Sequence, residues 1–75
     1  MNLYLLQRIE DDGNIYDCYD GHVIRANSEA EARLMASKVS ADEGSNTWLE
    51  PSSSTCIEII PDGKVEIILS DFHAG

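Results

Sequence analysis

Basic residues are scarce in this chain: five Lys and Arg stand against fourteen Asp and Glu, giving a formal charge of -9 over 75 residues. So few separated cations cannot assemble the stripe that direct binding to nucleic acid or an anionic membrane needs. Cysteine is limited to Cys18 and Cys56, and histidine to His22 and His73. These dispersed groups do not match zinc-ligand spacing, and Asp11-Asp12-Gly13-Asn14 lacks the register of a calcium loop. Glycine-rich phosphate loops are missing as well. The sequence therefore implies neither metal nor cofactor.

Long apolar runs are also lacking. The longest aliphatic stretch, as in Ile67-Ile68-Leu69, is three residues, against the roughly 20 of a membrane helix. Met1 leads into Asn2-Leu3-Tyr4-Leu5-Leu6 with no basic region and no signal-type stretch, so a soluble, cytoplasmic protein is expected. In that setting Cys18 and Cys56 are expected as reduced thiols in a core, a single bridge being the alternative. The length leaves no room for a Rossmann domain or a barrel. It also makes a deep substrate cavity costly, because a domain of this size buries only about 60% of its unfolded surface.

What is present suffices for folding. Leu, Ile, Val and Phe make up eighteen of the 75 residues, above the roughly 20% below which acidic chains are usually disordered. A single α+β domain spanning 1–75 is expected. In the first segment Leu3, Leu5 and Ile9 alternate with Tyr4, Leu6 and Arg8, as in a strand. The turn-prone Glu10-Asp11-Asp12-Gly13-Asn14 follows, then Ile15-Tyr16-Asp17-Cys18-Tyr19, predicting a hairpin whose second strand continues to Ala26 with a bend or bulge at Asp20-Gly21.

Ser28-Glu29-Ala30-Glu31 matches a capping box, in which the Ser28 hydroxyl meets the Glu31 amide and the Glu31 carboxylate returns to the Ser28 amide. A helix over 28–42 is expected, stopped at Gly44, burying Ala32, Met35, Ala36 and Val39, with a Glu29/Arg33 pair one turn apart. The polar stretch 45–55 is expected to be a loop with Trp48 as a lid. Cys56 to Ile60, the turn Pro61-Asp62-Gly63-Lys64, and Val65 to Leu69 predict a second hairpin. The expected architecture is an antiparallel sheet of two hairpins with one helix packed on one face, ββαββ.

Cys18 and His22 lie four apart on an extended chain, where side chains do not meet, so no catalytic pair is read and the protein is expected to be non-enzymatic. The chemistry that remains is anionic. Glu10, Asp11, Asp12, Asp17 and Asp20 on the first hairpin, with Asp42, Glu43 and Glu50 around the helix end, gather eight of the fourteen acids. Carboxylates about 6.6 Å apart along a strand face can imitate a row of phosphates and occupy a Lys- and Arg-lined groove. A solvated acidic face that serves solubility alone is the plainer alternative.

Leu3-Tyr4-Leu5-Leu6, Tyr16-Asp17, Ser28-Glu29-Ala30-Glu31-Ala32-Arg33, Trp48-Leu49-Glu50-Pro51, Ser54-Thr55-Cys56 and Asp71-Phe72-His73-Ala74-Gly75 are similar to segments of small acidic proteins encoded by phages and mobile elements. Within that class, the size, the acidity and the hairpin-helix-hairpin plan resemble anti-CRISPR inhibitors. The resemblance implies a protein acting in a bacterial host cell that mimics DNA and blocks the nucleic-acid groove of a CRISPR effector complex; a monomer or weak dimer is expected, since an exposed sheet edge could pair with a second copy. Anti-CRISPR proteins share no common motif, so it assigns no residue. A small phage or bacterial interaction module, with Trp48, Tyr16 and Tyr19 as anchors and an unrelated partner, is the second expectation.

Overall fold

The structure is a computed structural model that describes residues 1–9 and 17–71. Strands β1 (Asn2–Arg8) and β2 (Gly21–Ala26) come first, followed by helices α1 (Glu29–Lys38) and α2 (Ser45–Leu49) and by strand β3 (Ser54–Ile59). The strands form one antiparallel sheet in the order β2-β1-β3. The α+β class is as expected. The four-stranded ββαββ plan is not: among the described residues the sheet has three strands, and a second helix stands in place of the expected loop.

As the central strand, β1 satisfies its backbone on both sides and buries both of its faces at Tyr4, Leu5 and Leu6. On the inner face Tyr4 and Leu6 join Ala26, Ala32, Ala36 and Trp48 in the core, with Ile24 and Cys56 packed alongside. Pairing register fixes the outer face as three cross-strand ranks: Leu3 with Arg25 and Ile59, Leu5 with Val23 and Ile57, and Gln7 with Gly21 and Thr55. At Gly21 the backbone passes so close to β1 that an added Cβ would lie 2.9 Å from the Leu6 carbonyl oxygen. That contact, rather than a bulge within the strand, explains the glycine. The strand starts there, so Cys18 and Tyr19 precede it, and Ile15 and Tyr16 lie outside the described residues.

Helix α1 begins as its cap dictates, with the Glu31 amide donating to Ser28 Oγ at 3.2 Å. The Glu31 carboxylate, however, accepts from the Asn27 amide at 2.9 Å instead of from Ser28. The helix ends at Lys38 rather than 42. Ala32 and Ala36 are buried as expected, but Met35 and Val39 are 45% and 52% exposed, and Arg33 is buried in their place. The reason is α2. Gly44, with φ of 86°, turns the chain into this short helix, which drives Trp48 fully into the core. Trp48 is thus a core residue and not a lid, and it draws α1 round so that Arg33 faces inward.

The second hairpin does not form. Its first half becomes β3 and pairs with β1, while Val65 to Leu69 forms no strand. Residues 60–71 instead make a strap across the outer face. Ile67 and Ile68 line a cleft with Leu5, Ile57 and Ile59, and Leu69 to Asp71 line another with Leu5 and Val23. Leu5 is left only 5% exposed. A local fourth strand would have been an edge with one face in water, whereas the strap shields the centre of the sheet face opposite α1 and α2.

Candidate functional site at the acidic end of the sheet

The end of β1, the starts of β2 and β3 and the end of α1 all lie at one pole of the sheet, because the strands are antiparallel and α1 returns along them. The loops at this pole carry the acids. Loop 17–20 is tied to loop 40–44 by the Asp42 amide, which donates to the Asp17 carbonyl at 2.8 Å. The 50–53 turn is tied to the end of β1 by the Ile9 amide, which donates to the Ser53 carbonyl at 3.0 Å. Asp17, Asp20, Asp42 and Glu43 are thereby drawn together, and Glu50 follows at the same end, where its carbonyl accepts from the Ser53 amide at 2.9 Å. Glu10, Asp11 and Asp12 lie outside the described residues.

These carboxylates are not equivalent. Asp17, Asp42 and Glu50 are exposed, and no ion pair among the described residues engages them. Asp20 is exposed but accepts from Arg8 Nη2 at 2.7 Å, which offsets its charge locally. Glu43 is half-buried and held by hydrogen bonds. Its carboxylate accepts from Trp48 Nε1 at 2.8 Å, from the Ala41 amide at 3.1 Å and from the Tyr19 amide at 3.3 Å. Burial pushes its pKa upward, but the bonds from Trp48, its own amide, Tyr19 and Ala41 together outweigh that and hold it below the ordinary value of 4.5. Glu43 is the clasp that fixes loop 40–44 on α2 and on loop 17–20.

Beneath the clasp lies an aromatic stack. His22 packs between Tyr19, at a ring-centroid distance of 4.9 Å, and Trp48, at 4.7 Å edge to face. Its Nε2 is buried and has no hydrogen-bond partner among the described residues. Burial lowers its pKa below 6.5, and the nearby negative charge of Glu43 offsets this only in part. The pole is therefore a set of exposed acids mounted on a packed base.

Sequence inspection passed over two residues that build this base. By spacing, His22 offers only a zinc ligand without companions or a partner for Cys18, and Arg33 only an ion pair with Glu29. That pair does exist, at 3.0 Å. The same guanidinium also donates to the Trp48 carbonyl at 2.9 Å, to Ser54 Oγ at 2.9 Å and to the Ser54 carbonyl at 3.0 Å. No sequence spacing announces such long-range acceptors.

Elsewhere, Cys18 Sγ lies 3.9 Å from Asp20 Oδ1, and neither Cys18 nor Cys56 is in a disulfide. Burial, reinforced by Glu29 and opposed by Arg33, pushes the Cys56 thiol up, the opposite of what a nucleophile needs. Among the described residues no three His, Cys, Asp or Glu groups meet as metal ligands would, and no helix is long and apolar enough to cross a membrane. Comparison with protein-family models, with curated proteins and with solved structures finds no match to this chain.

Proposed function

We propose that this protein is a non-enzymatic inhibitor that seats its acidic pole in a basic nucleic-acid groove of a partner protein. The resemblance to anti-CRISPR proteins points to a CRISPR effector complex as that partner. The observation that carries the reading is the bond between the Asp42 amide and the Asp17 carbonyl, which holds two acidic loops in a fixed relation. Carboxylates held in place meet Arg and Lys without first losing the freedom of a mobile chain, so their charge-assisted bonds are retained in binding. Asp17, Asp42 and Glu50 are the contributors, with Asp20 able to exchange Arg8 for a partner's guanidinium. Glu43 acts by position only.

The interaction-module alternative loses Trp48 as an anchor, since that side chain is completely buried. Tyr19 remains on the surface beside the acids and supplies an aromatic contact for either partner class.

The test is binding of the intact protein to a purified CRISPR effector, with target-DNA competition, as a function of salt. The inhibitor role requires affinity to fall steeply as ionic strength rises and target DNA to displace the protein. Asp17→Lys with Asp42→Lys should weaken binding by about a hundredfold, from interfacial charge couplings of about 1.5 kcal/mol or more each. Salt-independent binding, or a double variant that binds like the parent, would refute it.

A further inference from the structure

The outer face of the sheet is the opposite of the acidic pole. None of the residues that the three strands place there is acidic, and Arg25 is the one charge among them; the acids near this face, Asp62, Glu66 and Asp71, belong to the strap. The strap covers Leu5 but leaves Val23 55% and Ile57 58% exposed. The strap adds Val65 and Ile67, both exposed to solvent, interleaved with the exposed pair Lys64 and Glu66. Scattered surface aliphatics are ordinary, but these adjoin one another across a sheet face and its covering segment, which is the pattern of a buried contact.

Charge indicates the occupant. Arg25 is exposed, and no ion pair among the described residues engages it or Asp62. Arg25 shares its rank with Leu3 and Ile59, and the same cleft is lined by Pro61, next to Asp62. A two-fold axis in the plane of contact and parallel to β1 lays β2 of one copy over β3 of the other. It keeps each rank level, so Arg25 of each copy comes over the Pro61-Asp62 corner of its neighbour.

We infer that this outer face, with its strap, is the contact of a two-fold symmetric homodimer in which Arg25 pairs with Asp62 of the second copy. The contact is isologous, so each ion pair occurs twice and the aliphatics of both copies are buried together. It sets the two acidic poles at the same end of the dimer, beside the contact.

Sedimentation of the intact chain across a range of concentrations tests this. A monomer–dimer equilibrium is expected, and it should tighten as salt screens the net charge, the reverse of the behaviour expected for binding a basic groove. Ile57→Glu should weaken the dimer by about a hundredfold, since it leaves a carboxylate in an apolar contact. Circular dichroism checks that this exposed substitution leaves the fold intact. Arg25→Asp should weaken the dimer about tenfold, and adding Asp62→Arg should restore it. Lys38→Asp, which changes net charge equally from α1, should have little effect. A chain that stays monomeric at every concentration and salt overturns the inference. So does a dimer indifferent to Ile57→Glu, or a charge reversal that Asp62→Arg fails to rescue.

Discussion

Replacing Arg33 by alanine removes a side chain that bonds α1, α2 and β3 together. Its guanidinium donates to two main-chain carbonyls, Trp48 and Ser54, and to the Ser54 hydroxyl, all in buried surroundings. The fourth acceptor, the Glu29 carboxylate, is half-exposed and regains water when the pair is broken, so that bond is worth at most about 1 kcal/mol. The other three acceptors are left short of a donor, at about 1–3 kcal/mol for each that water does not reach. Relief from burying a cation offsets part of this, and the measured range for breaking such networks is about 3–5 kcal/mol. A domain of 75 residues has about 4–11 kcal/mol in total, so Arg33→Ala should lie near the unfolding threshold. Arg33→Lys keeps the charge but cannot reach all three acceptors from one ammonium, and should fall between the two. Urea unfolding followed by Trp48 fluorescence and far-ultraviolet dichroism measures both. A loss below about 1 kcal/mol for alanine, or a lysine variant equal to the parent, would show that Arg33 does not hold these elements together.

Acid should destabilise the fold in two steps. The folded pKa of His22 lies below 6.5, so the unfolded chain takes up the proton first; stability is full above that value, falls as pH drops below it, and levels off beneath the folded pKa. Glu43, held below 4.5, contributes stability above 4.5 that is lost as pH falls through its folded value. Urea titrations at a series of pH values should show both steps, and His22→Gln should remove the upper one; an unchanged upper step in that variant assigns it elsewhere. Gly21→Ala should cost about 1–3 kcal/mol, because its Cβ meets main chain that cannot step aside. A melting temperature equal to the parent's would mean that β2 shifts away from β1 without penalty.

The readings that held rest on short spacings. Ser28 capping α1, the Glu29–Arg33 pair, the alternation of β1 and the burial of Ala32 and Ala36 depend on residues no more than four or five apart. A chain segment settles such contacts largely by itself. The acids that share the pole are partly of this kind: their number and clustering are written in the sequence, but only the closure of loop 17–20 on loop 40–44 gives them a common base.

Tertiary structure decided the rest by competition between distant partners. The segment from Cys56 had a local partner in Val65 to Leu69, with a suitable turn between them, yet it pairs with β1. Pairing there completes a central strand and seats Cys56 beside the core, so it removes more apolar surface from water than a hairpin at the margin would. The same competition buries Trp48 and turns Arg33 from a surface cation into an internal tie, since a charge is stable inside only where remote acceptors converge on it. Composition and local periodicity thus determined the acidity, the first strand and the helix start. Strand partnership, the strap over Leu5 and the hydrogen bonds that hold Glu43 were left to the packed chain, because each depends on groups brought together only when the fold closes.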